Sequence, residues 1–549
     1  MKQPLLVRSA AARAPSLPTP WADHSAPRAL SLAARLLPWA ALGAILAGAL
    51  FLRLFRLDGF TSFYPDTYGQ LRAADNLVSG QFPITYLYPP GIAVFLAPVF
   101  AFLPRTILTL QATILVAGTA LVVLAYAATL ATTGDRRAAF FHAAAVALGA
   151  TFVFHSRVAL FDVINTLLIA VALLLAPVVV RRGSAVLLAY GLLVFVTITV
   201  RYTNPVILPA LFLASMRLET HPLSRRLLWG HLRSRTVITV GLVVLALSGA
   251  YVVTMYESLT RFSNPQAGSV IEFSHYLPRL AQYLQASFIG YGETLQWQNG
   301  LAAAAILPFA IVGARRLWMT NRSFAVPLFF LIITWAPVHA VYMIFWGRYA
   351  MPVFFFLLML AALGVSVSLN RFRSLQHTWQ RVGLAGLTAL AVTFFVGQQL
   401  AQDITLLYQP PGAAQRSEAA YEDIRIVLRT LDGPDSALVS AQVLAVDKAN
   451  PAMASYDLLR HSETYGINDD SIDRLLEYVR AQQADGKTVY YHYTGYEDKR
   501  SRLHKYEQGF DTYFSALQRE FSVRELFRSS GHSQRLYALE PPISDASQK

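Results

Sequence analysis

Long apolar runs separated by short polar breaks fill the chain from residue 37 to about residue 400. Runs near the ~20 residues that a helix needs to cross a bilayer recur at 37–54, 106–130, 138–154 and 163–180. Further candidates lie at 184–200, 205–216, 237–255, 301–312, 324–345, 349–369 and 382–396, so the pattern predicts an all-α polytopic bundle of about eleven transmembrane helices. Beyond residue 400 the runs stop, charge rises, and Gln409-Pro-Pro-Gly412 marks a boundary. There the periodicity predicts helices at 417–430 and 472–484 and strands at 437–444, 488–493, 521–527 and 535–539, a small α/β domain.

Composition agrees with a membrane protein. Of 549 residues 55% are hydrophobic and 14% charged, against roughly 25% charged in a soluble domain. The net charge of +14 would point to nucleic acid in a soluble protein, but here it marks cytoplasmic loops, and no nucleic-acid partner is expected. The absence of cysteine excludes disulfides and thiolate chemistry. Residues 1–36, rich in Ala, Arg, Pro and Ser with the single acid Asp23, read as a disordered cytoplasmic tail. A transit peptide shares that composition, but 37–51 lacks a small-residue cleavage pattern.

Basic clusters at Arg181-Arg182, 217–235, Arg315-Arg316 with Arg322, and 371–381 belong on the cytoplasmic side by the positive-inside rule. They share one side only if the apolar segment 89–103, about fifteen residues long, does not cross. That segment is therefore expected to be re-entrant or to lie in the outer leaflet. The expected organisation is a tail at 1–36, a transmembrane domain at 37–400 and an extracytoplasmic α/β domain at 401–549, in an integral, plasma-membrane protein with a cytoplasmic N-terminus.

Candidate chemistry gathers on the outer side. Asp66 follows the turn Tyr64-Pro65 and precedes Tyr68, so its carboxylate is placed to act as a general base or, equally, to cap the helix that follows. The second outward loop, His155-Ser-Arg157-Val-Ala-Leu-Phe-Asp162, puts Asp162 at the start of an apolar span, as a helix-terminal acid or a partner of Arg157. In Phe345-Trp-Gly-Arg348-Tyr349-Ala-Met-Pro352, Arg348 can hold a lipid phosphate by a charge-assisted fork, or belong with its aromatic neighbours to an interfacial belt. His339 reads as a satisfied span-end histidine, and Glu272 and His275 as weak binding candidates before an amphipathic helix at 277–288.

An outward Asp loop after the first span, an Arg-x-x-x-x-Asp loop before a later one, and Arg-Tyr-x-x-Pro at the outer end of a late span resemble the GT-C superfamily. The chain is most similar in pattern to its protein O-mannosyltransferase and lipid A aminoarabinose transferase group, over 37 to about 396. The resemblance implies transfer of a sugar from a polyprenyl-phosphate donor to a protein, lipid or glycan acceptor on the outer face, with inversion. It implies Asp66 as the catalytic base and Asp162 as support for the base or the acceptor. Arg348, with Tyr349 and Arg157, falls to the donor phosphate, and Tyr68, Tyr88, Glu272 and His275 to the substrates. Tyr88-Pro-Pro90 resembles the start of the family's membrane-parallel helix. Many relatives carry Asp-Glu where this chain has Asp66-Thr67, which leaves the acceptor class open, and no metal or other cofactor is expected. A lipid-linked oligosaccharide polymerase or ligase, and a lipid or glycan transporter or flippase, are the alternatives. A transporter needs a continuous polar path between the two faces, but charge is scarce inside the apolar runs.

Overall fold

The structure is a computed structural model and describes residues 32–55, 65–80, 90–105, 107–158, 160–180, 182–201, 203–216, 224–262, 276–289, 297–341, 347–408, 423–440, 449–450, 452–458, 461, 468–494, 504–529 and 534–541. The chain divides into two compact units, Met1–Ile45 and Leu46–Lys549. Its helices are α1 (Leu32–Leu54), α2 (Pro65–Val78), α3 (Gly91–Phe102), α4 (Ile107–Thr133), α5 (Arg136–Leu148), α6 (Ala150–Arg157), α7 (Asp162–Val179) and α8 (Ser184–Ile198). There follow α9 (Leu208–Ser215), α10 (Arg225–Leu232), α11 (Arg235–Phe262), α12 (Tyr276–Ile289), α13 (Trp297–Thr320), α14 (Arg322–Ala340), α15 (Met351–Ser374) and α16 (Thr378–Tyr408).

Among the described residues six helices are long and apolar enough to cross a membrane, or seven if the bent pair α5 and α6 is one span. The expected count of about eleven is not confirmed by that measure, and the runs at 184–200 and 205–216 form the shorter α8 and α9. The run at 89–103, not counted among the eleven, forms the 12-residue α3, about 18 Å long at 1.5 Å per residue and too short for a ~30 Å hydrocarbon core. The run at 138–154 breaks at Gly149, where α5 and α6 meet at 52°. The break frees the amide of Ala150, which donates to Gln399 Oε1 of α16 at 2.9 Å. This satisfies a backbone group that neither helix pairs.

In the bundle α15 is central, with 94% of its apolar window buried against 11% for α1 and 17% for α16. It packs on α13 through two glycines. A Cβ at Gly313 would stand 1.8 Å from the Leu360 carbonyl oxygen and one at Gly364 would stand 1.9 Å from that of Phe309. Such close backbone approach is the usual means of association where lipid removes the hydrophobic drive between helices. Buried polar links add register. His142 of α5 is 2.8 Å from Thr129 Oγ1 on α4 and 3.0 Å from the Phe355 carbonyl oxygen on α15. At the other end of α5, Asp135 caps the helix by accepting from the amides of Arg137 and Ala138, and Ser366 of α15 donates to its second oxygen at 2.6 Å.

Two contacts fix the hairpin of α2 and α3 on the outer candidate loops. Arg105 bridges Asp75 of α2 at 2.6 Å. The Gly91 amide donates to the Thr199 carbonyl at 2.9 Å, at the end of α8. A Cβ at Gly91 would lie 2.4 Å from the Val196 carbonyl oxygen, so the close approach needs glycine.

The C-terminal part is a five-stranded sheet of order β2-β1-β3-β5-β4, comprising β1 (Ser436–Ser440), β2 (Ala454–Asp457), β3 (Thr488–Thr494), β4 (Ser522–Arg528) and β5 (Gln534–Glu540). β1 pairs in parallel with β2 and β3, and β5 runs antiparallel to β3 and β4. α17 (Asp469–Ala484), opened by an Asn468–Ser471 capping box, and α18 (His504–Glu520) bury Leu475, Val479, Tyr513 and Leu517 against Val439 and Tyr491. A helical segment at 423–429 covers the other face through Ile424 and Leu428. The four expected strands and the expected helix at 472–484 have described counterparts, and the expected helix at 417–430 is helical over 423–429, while residues 417–422 and 441–444 lie outside the described residues; β2 and α18 are additions. His492 of β3 is buried between Ser440 and Gln534, with Nδ1 2.8 Å from Ser440 Oγ and Nε2 2.7 Å from Gln534 Oε1.

Burial pushes the His492 pKa down to about 4 from 6.5, so the folded ring stays neutral where an unfolded chain would already bind a proton. Stability of the α/β part is therefore complete above about pH 6.5 and falls on acidification toward pH 4, by on the order of 3 kcal/mol from this group. Hydrogen exchange of the β1 and β3 amides, corrected for intrinsic rates, is expected to lose protection over that window in the wild type and much less in His492→Gln.

Candidate functional site

Asp162 owes its exposure to chemistry to the way α7 begins. α6 ends at Arg157, and α7 opens with Asp162 as its first residue, Phe161 standing at the N-cap with no side-chain cap bond. The Asp162 carboxylate is thus not used in capping, although its charge suits the positive end of the helix dipole. One oxygen pairs with Nη2 of Arg201, which follows α8, and the other lies 3.6 Å from Nε of Arg348. Arg348 sits in the 3₁₀ turn Gly347–Ala350 that leads into α15. Only 2% of the Asp162 surface is exposed, 6% of Arg201 and 7% of Arg348.

Aromatic side chains hold the cations in place. The Arg201 guanidinium lies 3.7 Å from the centroid of the Tyr349 ring and 4.7 Å from that of Phe161, a desolvated cation–π arrangement. Tyr349 is itself fixed, because its carbonyl accepts from Trp335 Nε1 at 2.7 Å. His339 is a satisfied histidine, as expected: Nε2 is 2.8 Å from Thr203 Oγ1 and Nδ1 2.9 Å from the Trp335 carbonyl oxygen. Its ring packs between Trp335, Tyr283 and Tyr349. On the next turn, Asn204 donates to Asn165 Oδ1 of α7 and to the Thr197 carbonyl, which anchors the segment carrying Arg201. His155, also buried, lies within electrostatic reach of Asp162, Arg201 and Arg348.

Among the residues expected at the site, the structure brings together Asp162, Arg348 and Tyr349. Arg157 is buried, and its described hydrogen bonds go to the end of α1: Nη1 donates to the Leu52 carbonyl at 3.3 Å and Nη2 to that of Phe55 at 2.7 Å. Asp66 and Tyr68 fall in the first turns of α2, which starts with Pro65, the favoured first helical residue, rather than at Thr67. Asp66 is therefore not the cap, and both side chains lie outside the described residues, as do Tyr88, Glu272 and His275 entirely. Sequence reasoning missed Arg201. The available signal was an Arg directly after an apolar run, in a segment already assigned outward. It also missed Gln70, one turn after Asp66, which is fully buried with neither amide atom hydrogen-bonded among the described residues.

The cluster's charge determines what it can bind. Two guanidiniums flank one carboxylate in a site shielded from water. A planar guanidinium suits a phosphate or carboxylate, so the two arginines can take an anion that reaches them.

No family model matches the chain, and no curated protein matches it in sequence. Solved structures do match in fold. ArnT from Cupriavidus metallidurans in the apo state aligns with a TM-score of 0.60 at 13% identity, covering 92% of this chain and 97% of that one. The same protein bound to undecaprenyl phosphate gives 0.59 at 13% identity over 93% and 98%. The apo oligosaccharyltransferase of Archaeoglobus fulgidus gives 0.51 at 13% identity over 94% and 76%. These are GT-C membrane proteins, so the chain has the GT-C fold that its loop pattern resembled.

Asp162→Asn removes the carboxylate that pairs with both buried guanidiniums. Breaking a buried pair this way costs about 3–5 kcal/mol. Melting of the purified protein in detergent is expected to shift down by several degrees, and Asp162→Glu to recover part of the loss; an unchanged melting temperature in Asp162→Asn would contradict the charge assignment.

Proposed function

We propose that this protein is a GT-C-type membrane glycosyltransferase that moves a sugar from a polyprenyl-phosphate donor to an acceptor on the outer face of the membrane. The single observation that carries this reading is the buried cluster in which Arg201 and Arg348 meet at Asp162. The fold likeness supports it, since one neighbour binds undecaprenyl phosphate and another is an archaeal oligosaccharyltransferase complexed with dolichol phosphate, of TM-score 0.51.

In this reading Arg348 and Arg201 take the donor phosphate. The positive charge that they hold in common stabilises the lipid phosphate as it leaves the anomeric carbon. Tyr349 keeps Arg201 flat and Asp162 sets the spacing of the two guanidiniums. Asp66 accepts the proton of the acceptor hydroxyl as that oxygen attacks, and in-line attack opposite the leaving phosphate inverts the anomeric carbon. Arg157 braces the outer end of α1, at the root of the loop that carries Asp66. Tyr68, Tyr88, Glu272 and His275 contact the sugar or the acceptor. The basic clusters assign residues 1–36 and the N-terminus to the cytoplasm, residues 37–400 to about eleven crossings, and 401–549 to the outer side.

Transfer from a panel of polyprenyl-phosphate sugars, in detergent, tests this assignment. Asp66→Asn is expected to lower kcat at least ~100-fold, the usual contribution of a positioned base, with donor KM little changed. Arg348→Gln is expected mainly to raise donor KM. Undiminished transfer by Asp66→Asn would remove Asp66 from its role, and no transfer by the wild type across the panel, with lipid movement between leaflets instead, would favour the transporter.

A further inference from the structure

α5, α13, α15 and α16 line a cavity of about 120 Å³, partly open, that shares no lining residue with the Asp162 cluster. Its walls are apolar and made of small and branched side chains, among them Ala144, Ala145, Ala305, Leu358, Ala362 and Val392. The lining runs from Ala391 to Gln399 on α16 and from Phe141 to Leu148 on α5, about 12 Å along the bundle at 1.5 Å per residue. Beside it the outer faces of α13 and α16 expose Ile311 and Leu390, as lipid-facing helices do. Whatever enters comes from the hydrocarbon of the bilayer.

One polar side chain lines the cavity, and it stands at one end. Gln399 is 1% exposed, and its Oε1 accepts from the Ala150 amide freed at the bend between α5 and α6. That bond fixes which amide atom is which, because a backbone N–H can only donate to the oxygen. Nε2 then has no hydrogen-bond partner among the described residues. A buried amide left without an acceptor costs about 1–3 kcal/mol, which an occupant bearing an acceptor would relieve. A polyisoprenoid chain is hydrocarbon throughout and carries none in its tail. A fatty-acyl chain has a carbonyl at its head, the length to follow the groove and no bulk to clash with its alanines.

The geometry points to a lipid site at which a membrane glycerophospholipid inserts one ester-linked acyl chain between α5, α13, α15 and α16, its ester carbonyl accepting from Gln399 Nε2. The lipid braces the bend at Gly149 and so the approach of α6 to the outer face. It is independent of the transfer reaction, because none of its residues belongs to the Asp162 cluster or to α2.

Photo-crosslinking of the full-length protein in nanodiscs tests the site. Three probes carry a diazirine at matched chain positions: an ester-linked diacyl phospholipid, its ether-linked dialkyl analogue, and a polyprenyl phosphate. The ester probe is expected to label peptides of α5, α15 and α16 roughly fivefold more than the ether probe, the effect of one hydrogen bond of about 1 kcal/mol. Gln399→Leu is expected to erase that preference, and Ala362→Phe to reduce labelling by both. Equal labelling of the wild type by ester and ether probes, or stronger labelling of these peptides by the polyprenyl probe, would overturn the assignment. The wild-type comparison decides even where a variant fails to fold.

Discussion

Three side chains from distant parts of the chain, Asp162, Arg201 and Arg348, meet in a place with almost no water, and the helix ends around them are arranged to hold them there. A carboxylate in such a site stays charged only beside cations, and two guanidiniums stay apart only because a carboxylate stands between them. The ring of Tyr349, locked by Trp335, supplies the flat surface that Arg201 needs. Asn204 and Thr203 tie the Arg201 segment to α7 and to His339. Gly91 lets α3 come close enough to the end of α8 to brace the same segment from the other side.

The pairing of two arginines with Asp162 connects packing to function. If stability alone were selected, an apolar triad of similar volume would serve as well or better, since desolvation of buried ions commonly outweighs their attraction. A site that must recognise a lipid phosphate and stabilise it on departure has use for a cation held ready, with no reorganisation left to do. A second polar cluster lies near the ends of α1 and α16, where Asp403 is within electrostatic reach of Arg53 and Arg157. Arg53 there donates to the carbonyls of Ala147 and Val146. This second cluster links α1, the α5–α6 bend and α16.

Much of this was legible in the sequence because membrane chains write their exceptions plainly. Asp162 and Arg348 each interrupt an apolar context, and in a bilayer an ionisable group so placed is expensive and so informative. The shortness of the run before Leu103 was visible for the same reason. Arg201 was not, because an Arg at the end of an apolar run looks the same whether it faces water or a carboxylate 39 residues earlier. The bend at Gly149 was hidden too, since no proline or charge marks it and only the pairing of the Ala150 amide with Gln399 shows why it is tolerated. The count of about eleven spans is not confirmed by helix length and composition among the described residues, where α8 and α9 run for only 15 and 8 residues. In the C-terminal part β2 is four residues with no alternation of apolar and polar positions, and α18 packs chiefly through Tyr513, Ala516 and Leu517, too narrow a stripe to stand out.

The most direct test of the central claim is the affinity of the wild type for a polyprenyl phosphate without sugar, measured in nanodiscs beside Arg201→Gln and Arg348→Gln. If Arg201 and Arg348 hold the phosphate, each neutralised variant binds at least ~10-fold more weakly, a loss of about 1.4 kcal/mol or more, and the uncharged polyprenol binds no better to the wild type than to the variants. Equal affinity of all three proteins for the phosphate would show that the lipid carrier is held elsewhere.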